Sequence, residues 1–87
     1  MTYELIMSRQ ASSYMARLDA TTQERIGSAL RELQQLPFHA GTKQLKNAGH
    51  ERTARVGGWR ILYTGVSDPP AVEVRVIAPR GQVYRRL

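Results

Sequence analysis

The spacing of apolar residues changes at Pro37, and that change limits the chain to an architecture in which helices come first and strands follow. Before it, Ala11, Tyr14, Met15 and Leu18 fall at i, i+3, i+4 and i+7, one stripe of a helix. Ile26, Ala29, Leu30, Leu33 and Leu36 keep helical spacing up to the proline, which cannot continue a helix. Asp19-Ala20 interrupts the two stripes, and Thr21 followed by Glu24 has the form of a capping box. Beyond Pro37 the period is two. Arg52 to Val56, Gly57-Gly58 and Trp59 to Val66 read as strand, tight turn and strand, the glycines supplying positive φ. Ser67 to Pro70 makes a second turn. Val72, Val74, Val76 and Ala78 then alternate with Glu73, Arg75 and Ile77, a strand with two faces. Tyr3 to Met7 is a short β-prone first strand, and Phe38 to Gly49 a polar loop with room for a short extended piece around Leu45.

The order β-α-α-β-β-β predicts an α+β fold, with an N-terminal strand and a two-helix hairpin packed on one face of an antiparallel sheet. Its 87 residues form a single domain, 1–87, without repeat or linker. A domain of this size buries about 60–65% of the surface of its unfolded chain. Its 41% apolar content serves one core and leaves no room for a deep pocket, so a site must lie on an open face. There is no cysteine, which excludes a disulfide, a thiolate nucleophile and a cysteine-based zinc site. His39 and His50, eleven apart, do not make a metal site, and no cofactor is expected. Residues 1–8 lack the basic start and long apolar run of a signal peptide, and no stretch approaches the ~20 apolar residues of a membrane span. A soluble cytoplasmic protein without a membrane partner is expected.

Charge is divided unevenly. In residues 1–42, Arg9, Arg17, Arg25 and Arg31 balance Glu4, Asp19, Glu24 and Glu32. Residues 43–87 hold Lys43, Lys46, Arg52, Arg55, Arg60, Arg75, Arg80, Arg85 and Arg86 against Glu51, Asp68 and Glu73, and so carry the whole +6. A basic field confined to one half attracts a polyanion. Arginine outnumbers lysine, and its planar fork matches phosphate oxygens and stacks on bases. Trp59, Ile61 and Tyr63 share one parity and predict the helix-facing side, which leaves Arg60, Leu62 and Thr64 on the other face.

Leu45-Lys46-Asn47, followed by Arg55-Val56-Gly57-Gly58-Trp59-Arg60-Ile61-Leu62-Tyr63, resembles the central hairpin of RelE/ParE toxins. Val76 to Arg85 is similar to that family's last strand and its Arg…Tyr tail, and element order and length agree. The resemblance covers nearly the whole chain. It implies the toxin of a bacterial toxin–antitoxin pair, held inactive by a cognate antitoxin protein. RelE-like members act in the ribosomal A site as endoribonucleases that cut mRNA. ParE-like members share the fold but bind and inhibit DNA gyrase.

Metal-independent RNA cleavage uses the RNA's own 2′-hydroxyl as nucleophile. It needs a proton acceptor, cations for the phosphate and an acid for the leaving 5′-oxygen. An aromatic ring can stack on a base to set the in-line angle. By the resemblance, Arg60 takes the place of the central phosphate-binding arginine. Arg80 takes that of the last strand's arginine and Tyr84 that of the tail aromatic. Arg55 stands at a basic position of the preceding strand, where lysines often serve. Lys43, Lys46, Arg52, Arg75 and Arg85 are expected to bind RNA backbone. The family's companion basic position is Thr53 here, and its frequent histidine before the last arginine is Pro79. Arginine cannot act as a base near neutral pH, so His50, Glu51 and a Tyr84 phenolate remain open as proton acceptors. Three functions are carried forward: a ribosome-dependent endoribonuclease, a gyrase-directed protein binder and a non-catalytic RNA-binding module.

Overall fold

Ser8 ends the first strand and begins the first helix in the same residue. Its hydroxyl accepts from Ala11 N at 3.0 Å, capping the helix, and donates to the carbonyl of Arg75 at 2.6 Å. Gln10 exchanges two 3.1 Å hydrogen bonds with the backbone of Ile77, so the helix is tied to a distant strand as soon as it starts. The computed structural model describes residues 2–39, 42–44 and 51–79. Within them the order is β1 (Glu4–Met7), α1 (Arg9–Ala16), α2 (Ala20–Gln35), β2 (Thr42–Gln44), β3 (Glu51–Val56), β4 (Trp59–Ser67) and β5 (Pro70–Pro79). The extended piece expected around Leu45 is β2, which ends one residue earlier.

The capping box expected at Thr21 is replaced by a cap at Asp19. Its carboxylate accepts from Thr22 N at 3.2 Å and from the Thr22 hydroxyl at 2.6 Å. A side chain two residues earlier caps the helix with both carboxylate oxygens, one accepting from the Thr22 backbone and the other from its hydroxyl, and its negative charge suits a helix N-terminus. These bonds, led by that from the Thr22 hydroxyl, hold the Asp19 carboxyl below its ordinary value. A carboxyl depressed in the folded state contributes stability above its unfolded pKa, and that contribution is lost as pH falls through the folded value. The gap in melting temperature between the native chain and Asp19→Asn is therefore expected to be constant above about pH 5 and to close below about pH 4. Thermal unfolding followed by circular dichroism across this range measures it. A gap that widens on acidification contradicts the cap.

The sheet runs β1-β5-β4-β3-β2. It is mixed, not antiparallel: β2 to β5 form an antiparallel meander, but β1 lies parallel to β5, Glu4 opposite Ala71 and Met7 opposite Val74. The helices carry the chain from β1 to the far edge of the sheet. The meander brings it back through three reversals, so β5 arrives beside β1 pointing the same way. Ala11, Ile26, Leu30 and Leu33 from the helices pack on Ala54, Ile61, Tyr63, Val72, Val74 and Ile77 from one face. Trp59 packs against this core and donates from Nε1 to the Tyr14 hydroxyl at 3.2 Å. Tyr63 is fully buried and donates to the carbonyl of Pro37. Leu36, expected on the α2 stripe, is exposed because the helix stops at Gln35.

The alternation expected along β5 breaks once. Leu62 pairs with Val76 but Tyr63 with Val74, so Arg75 is an extra residue in a bulge. Val72, Val74 and Ile77 consequently face the helices, whereas Val76 and Ala78 join Leu62 in a second apolar cluster on the opposite face. At the β3–β4 turn, Gly57 alone among the described glycines has a positive φ, 56°. One positive φ at the first turn position is the requirement of a type II′ hairpin, and Gly58 is not called on for a second.

Candidate nucleic-acid interface

The register of the hairpin decides which basic side chains share a surface. Arg55 and Arg60 are direct partners beside the turn, and Thr53 opposes Leu62. Leu62 belongs to the cluster away from the helices, so Glu51, Thr53 and Arg55 of β3 and Arg60, Leu62 and Thr64 of β4 share that second face, on which Glu51, Thr53 and Leu62 are buried and Arg55 is exposed. Lys43 opposes Thr53 and extends the face onto β2. β5 ends at Pro79 opposite Trp59, at the same end of the sheet as Arg55 and Arg60. Two like charges directly opposite each other on neighbouring strands repel, and nothing described here offsets the repulsion. Neither Arg55, Arg60 nor Lys43 has an acidic partner among the described residues. Arg55 donates from Nε to the carbonyl of Gly57 at 3.5 Å. Arg60 is half-buried, and its Nε is buried without an acceptor among the described residues. The stem of Arg60 is thus held by packing while its charge is left for something outside the described residues.

Arg75 and Arg52 are placed differently. Arg75, the bulge residue, donates from Nη1 to Oε1 of Glu51, whose side chain is almost buried. That pair neutralises the middle of this face and leaves the net positive charge at the turn end. Glu51, one of three groups considered as proton acceptor, is therefore engaged, although its Oε2 and the Thr53 hydroxyl are buried without partners. Arg52 opposes Tyr63 and so lies on the helix side. It donates from Nη2 to the Thr42 hydroxyl at 2.8 Å and sits 5.2 Å from the centre of the Phe38 ring. With Phe38, Gln44 and Gly65 it lines a shallow concavity away from Arg55 and Arg60. Parity carried this signal, because Arg52 alternates in phase with Ala54 and Val56. Lys46, His50, Arg80, Tyr84 and Arg85 lie outside the described residues.

A third cation stands at the turn. Arg25 of α2 lays its guanidinium over Gly57, with Nη2 3.0 Å from where a Cβ would stand. Sequence reading counted Arg25 in the neutral half, and nothing local marks a contact spanning α2 and the hairpin. Among the described residues, no three His, Asp or Glu side chains gather as ligands for a metal ion, and no helix is long and apolar enough to cross a membrane.

No protein-family model matches the chain, and no curated protein matches it by sequence. Solved structures do match by shape. RelE in the RelE–RelB complex of the archaeon Pyrococcus horikoshii OT3 is 21% identical, with a TM-score of 0.81 over 94% of this chain and 99% of that one. The isolated E. coli RelE toxin is 22% identical, with a TM-score of 0.78 over 97% and 93%. A YoeB/ParE toxin from Agrobacterium tumefaciens is 20% identical, with a TM-score of 0.77 over 88% and 98%. Two helices laid on a five-stranded mixed sheet give this chain the fold of the RelE toxins.

Proposed function

We propose that the chain is the toxin of a bacterial type II toxin–antitoxin pair and cleaves mRNA on the ribosome as a metal-independent endoribonuclease. The observation that carries this reading is the pair of guanidiniums at Arg55 and Arg60, opposite one another and unneutralised among the described residues. A phosphodiester placed between them gains charge as the 2′-oxygen attacks its phosphorus. The P–O bond to the 5′-oxygen breaks, leaving a 2′,3′-cyclic phosphate and a 5′-hydroxyl. Fixed cations stabilise that transition state more than the ground state, which is what lowers the barrier. The half-buried stem of Arg60 restricts its motion, so little ordering remains to be done when substrate arrives. Arg80 and Tyr84 complete the group in this reading, supplying the leaving-group side and a stacking or proton-transferring ring. Lys43 and, beyond the described residues, Lys46 and Arg85 hold flanking backbone. The partner protein is an antitoxin, by likeness to structures in which RelE is bound to RelB.

The second reading, a toxin that binds DNA gyrase and is no nuclease, is favoured by one feature. Between Glu51 and Arg55, β3 presents Thr53, which is buried and cannot serve as a basic group. Induction of the chain, primer extension on translated transcripts and assay of trapped gyrase–DNA complexes separate the two. The first reading expects codon-positioned cuts, arrested translation and recovery of growth on co-expression of the neighbouring reading frame's product. Intact messages with trapped gyrase–DNA complexes establish the second. Intact messages with neither effect leave only RNA binding.

A further inference from the structure

The β3–β4 turn gathers a cation that belongs to neither strand. The Arg25 guanidinium covers Gly57 from the helix side: Nη2, Cζ and Nη1 lie 3.0, 3.5 and 3.8 Å from an ideal Cβ at that position. From the other side Arg55 reaches the Gly57 carbonyl, and Arg60 stands opposite Arg55. None of the three meets a carboxylate among the described residues. Arg25 makes no hydrogen bond among the described residues, and its exposed guanidinium lies beside Gly57, open to a ligand from solvent. Gly57 is constrained by its positive φ, and the end of the Arg25 side chain lies beside it.

We infer that Arg25 and Arg55 form a phosphate clamp astride the β3–β4 turn, which takes the backbone phosphodiester of single-stranded RNA next to the scissile one, Arg55 bridging the two. The inference extends the proposed nuclease reading by adding a helix residue to its substrate path. The chemistry required is that of a phosphodiester: several oxygens, one negative charge and no base identity, so the clamp fixes register without reading sequence. Because the two arginines approach from opposite sides of the turn, the RNA passes over the hairpin tip instead of ending at it.

The test is equilibrium binding of the full chain to a labelled oligouridylate carrying 2′-O-methyl groups, which cannot be cut, over a salt series. Each phosphate contact to a single strand contributes about −0.7 to the slope of log K against log salt. Arg25→Gln is expected to flatten the slope by about 0.7 and to weaken binding about fivefold at 0.1 M salt. Arg25→Lys, which keeps the charge, is expected to restore the slope. Arg25→Gln with Arg55→Gln is expected to flatten it by about twice as much. A slope unchanged in Arg25→Gln overturns the clamp, as does a native chain that binds no oligouridylate. A lowered melting temperature with an unchanged slope assigns Arg25 to stabilising the turn alone. Failure of the clamp and failure of the nuclease reading are separable. Native primer-extension cuts with no change of slope reject only the clamp, and a flattened slope without any cuts rejects only the nuclease.

Discussion

Replacing Arg60 with alanine is expected to slow mRNA cleavage by about 10²- to 10³-fold, or about 3–4 kcal/mol, the range seen when one fixed donor to a developing charge is removed. The effect belongs in the rate of the chemical step more than in binding, because the cation matters most when the phosphate carries its extra charge. Arg60→Lys is expected to recover only part of the loss, since an ammonium keeps the charge but cannot present a planar fork. The fold is expected to survive. Arg60 Nε has no acceptor among the described residues, so truncation breaks no hydrogen bond described here, and removal of one charge relieves the repulsion with Arg55. Single-turnover cleavage on programmed ribosomes, with urea unfolding of the same variants, reads both effects. Cleavage at the native rate in Arg60→Ala would remove Arg60 from the chemistry.

Tyr63→Ala is expected to leave the chain largely unfolded at 37 °C. Tyr63 is among the largest wholly buried side chains and joins α2's exit, through Pro37, to the middle of the sheet. Truncating a buried aromatic to alanine costs about 3–5 kcal/mol. A domain of this size has a thin margin to absorb it, given total stabilities of about 5–15 kcal/mol. Tyr63→Phe separates the two contributions. It keeps the ring but strands the buried Pro37 carbonyl, at about 1–3 kcal/mol. Urea denaturation is expected to order the variants native, Tyr63→Phe, Tyr63→Ala. A Tyr63→Phe midpoint equal to the native one would show that the hydrogen bond contributes nothing net.

Periodicity announced the parts of the fold that are local. The stripe Ile26, Leu30, Leu33 and the parity of Trp59, Ile61 and Tyr63 both point at the core they occupy. What periodicity could not express is pairing between distant segments. The parallel contact of β1 with β5 leaves no mark in either strand, and the bulge at Arg75 is invisible because a run of valines reads the same with or without a slip. The site divides in the same way. Arg55 and Arg60 share the face away from the helices as the alternation implies, whereas net charge does not separate them from Arg52, whose guanidinium faces the helix side over Phe38. Arg75 was counted as a free cation although Glu51 engages it. Arg25 belongs to the half of the chain whose charges sum to zero, and only the folded hairpin brings Gly57 beneath it.

The pairing of Glu4 with Ala71 also governs when this protein can exist as such. At about 5–20 residues per second, the ribosome needs roughly 3–13 s to travel from the first of these positions to the second. Throughout that interval the nascent chain holds a strand with no neighbour and two helices whose apolar stripes have no completed sheet to cover them. Closure waits on β5, so the finished surface is assembled only after the segment around Ala71 has been synthesised.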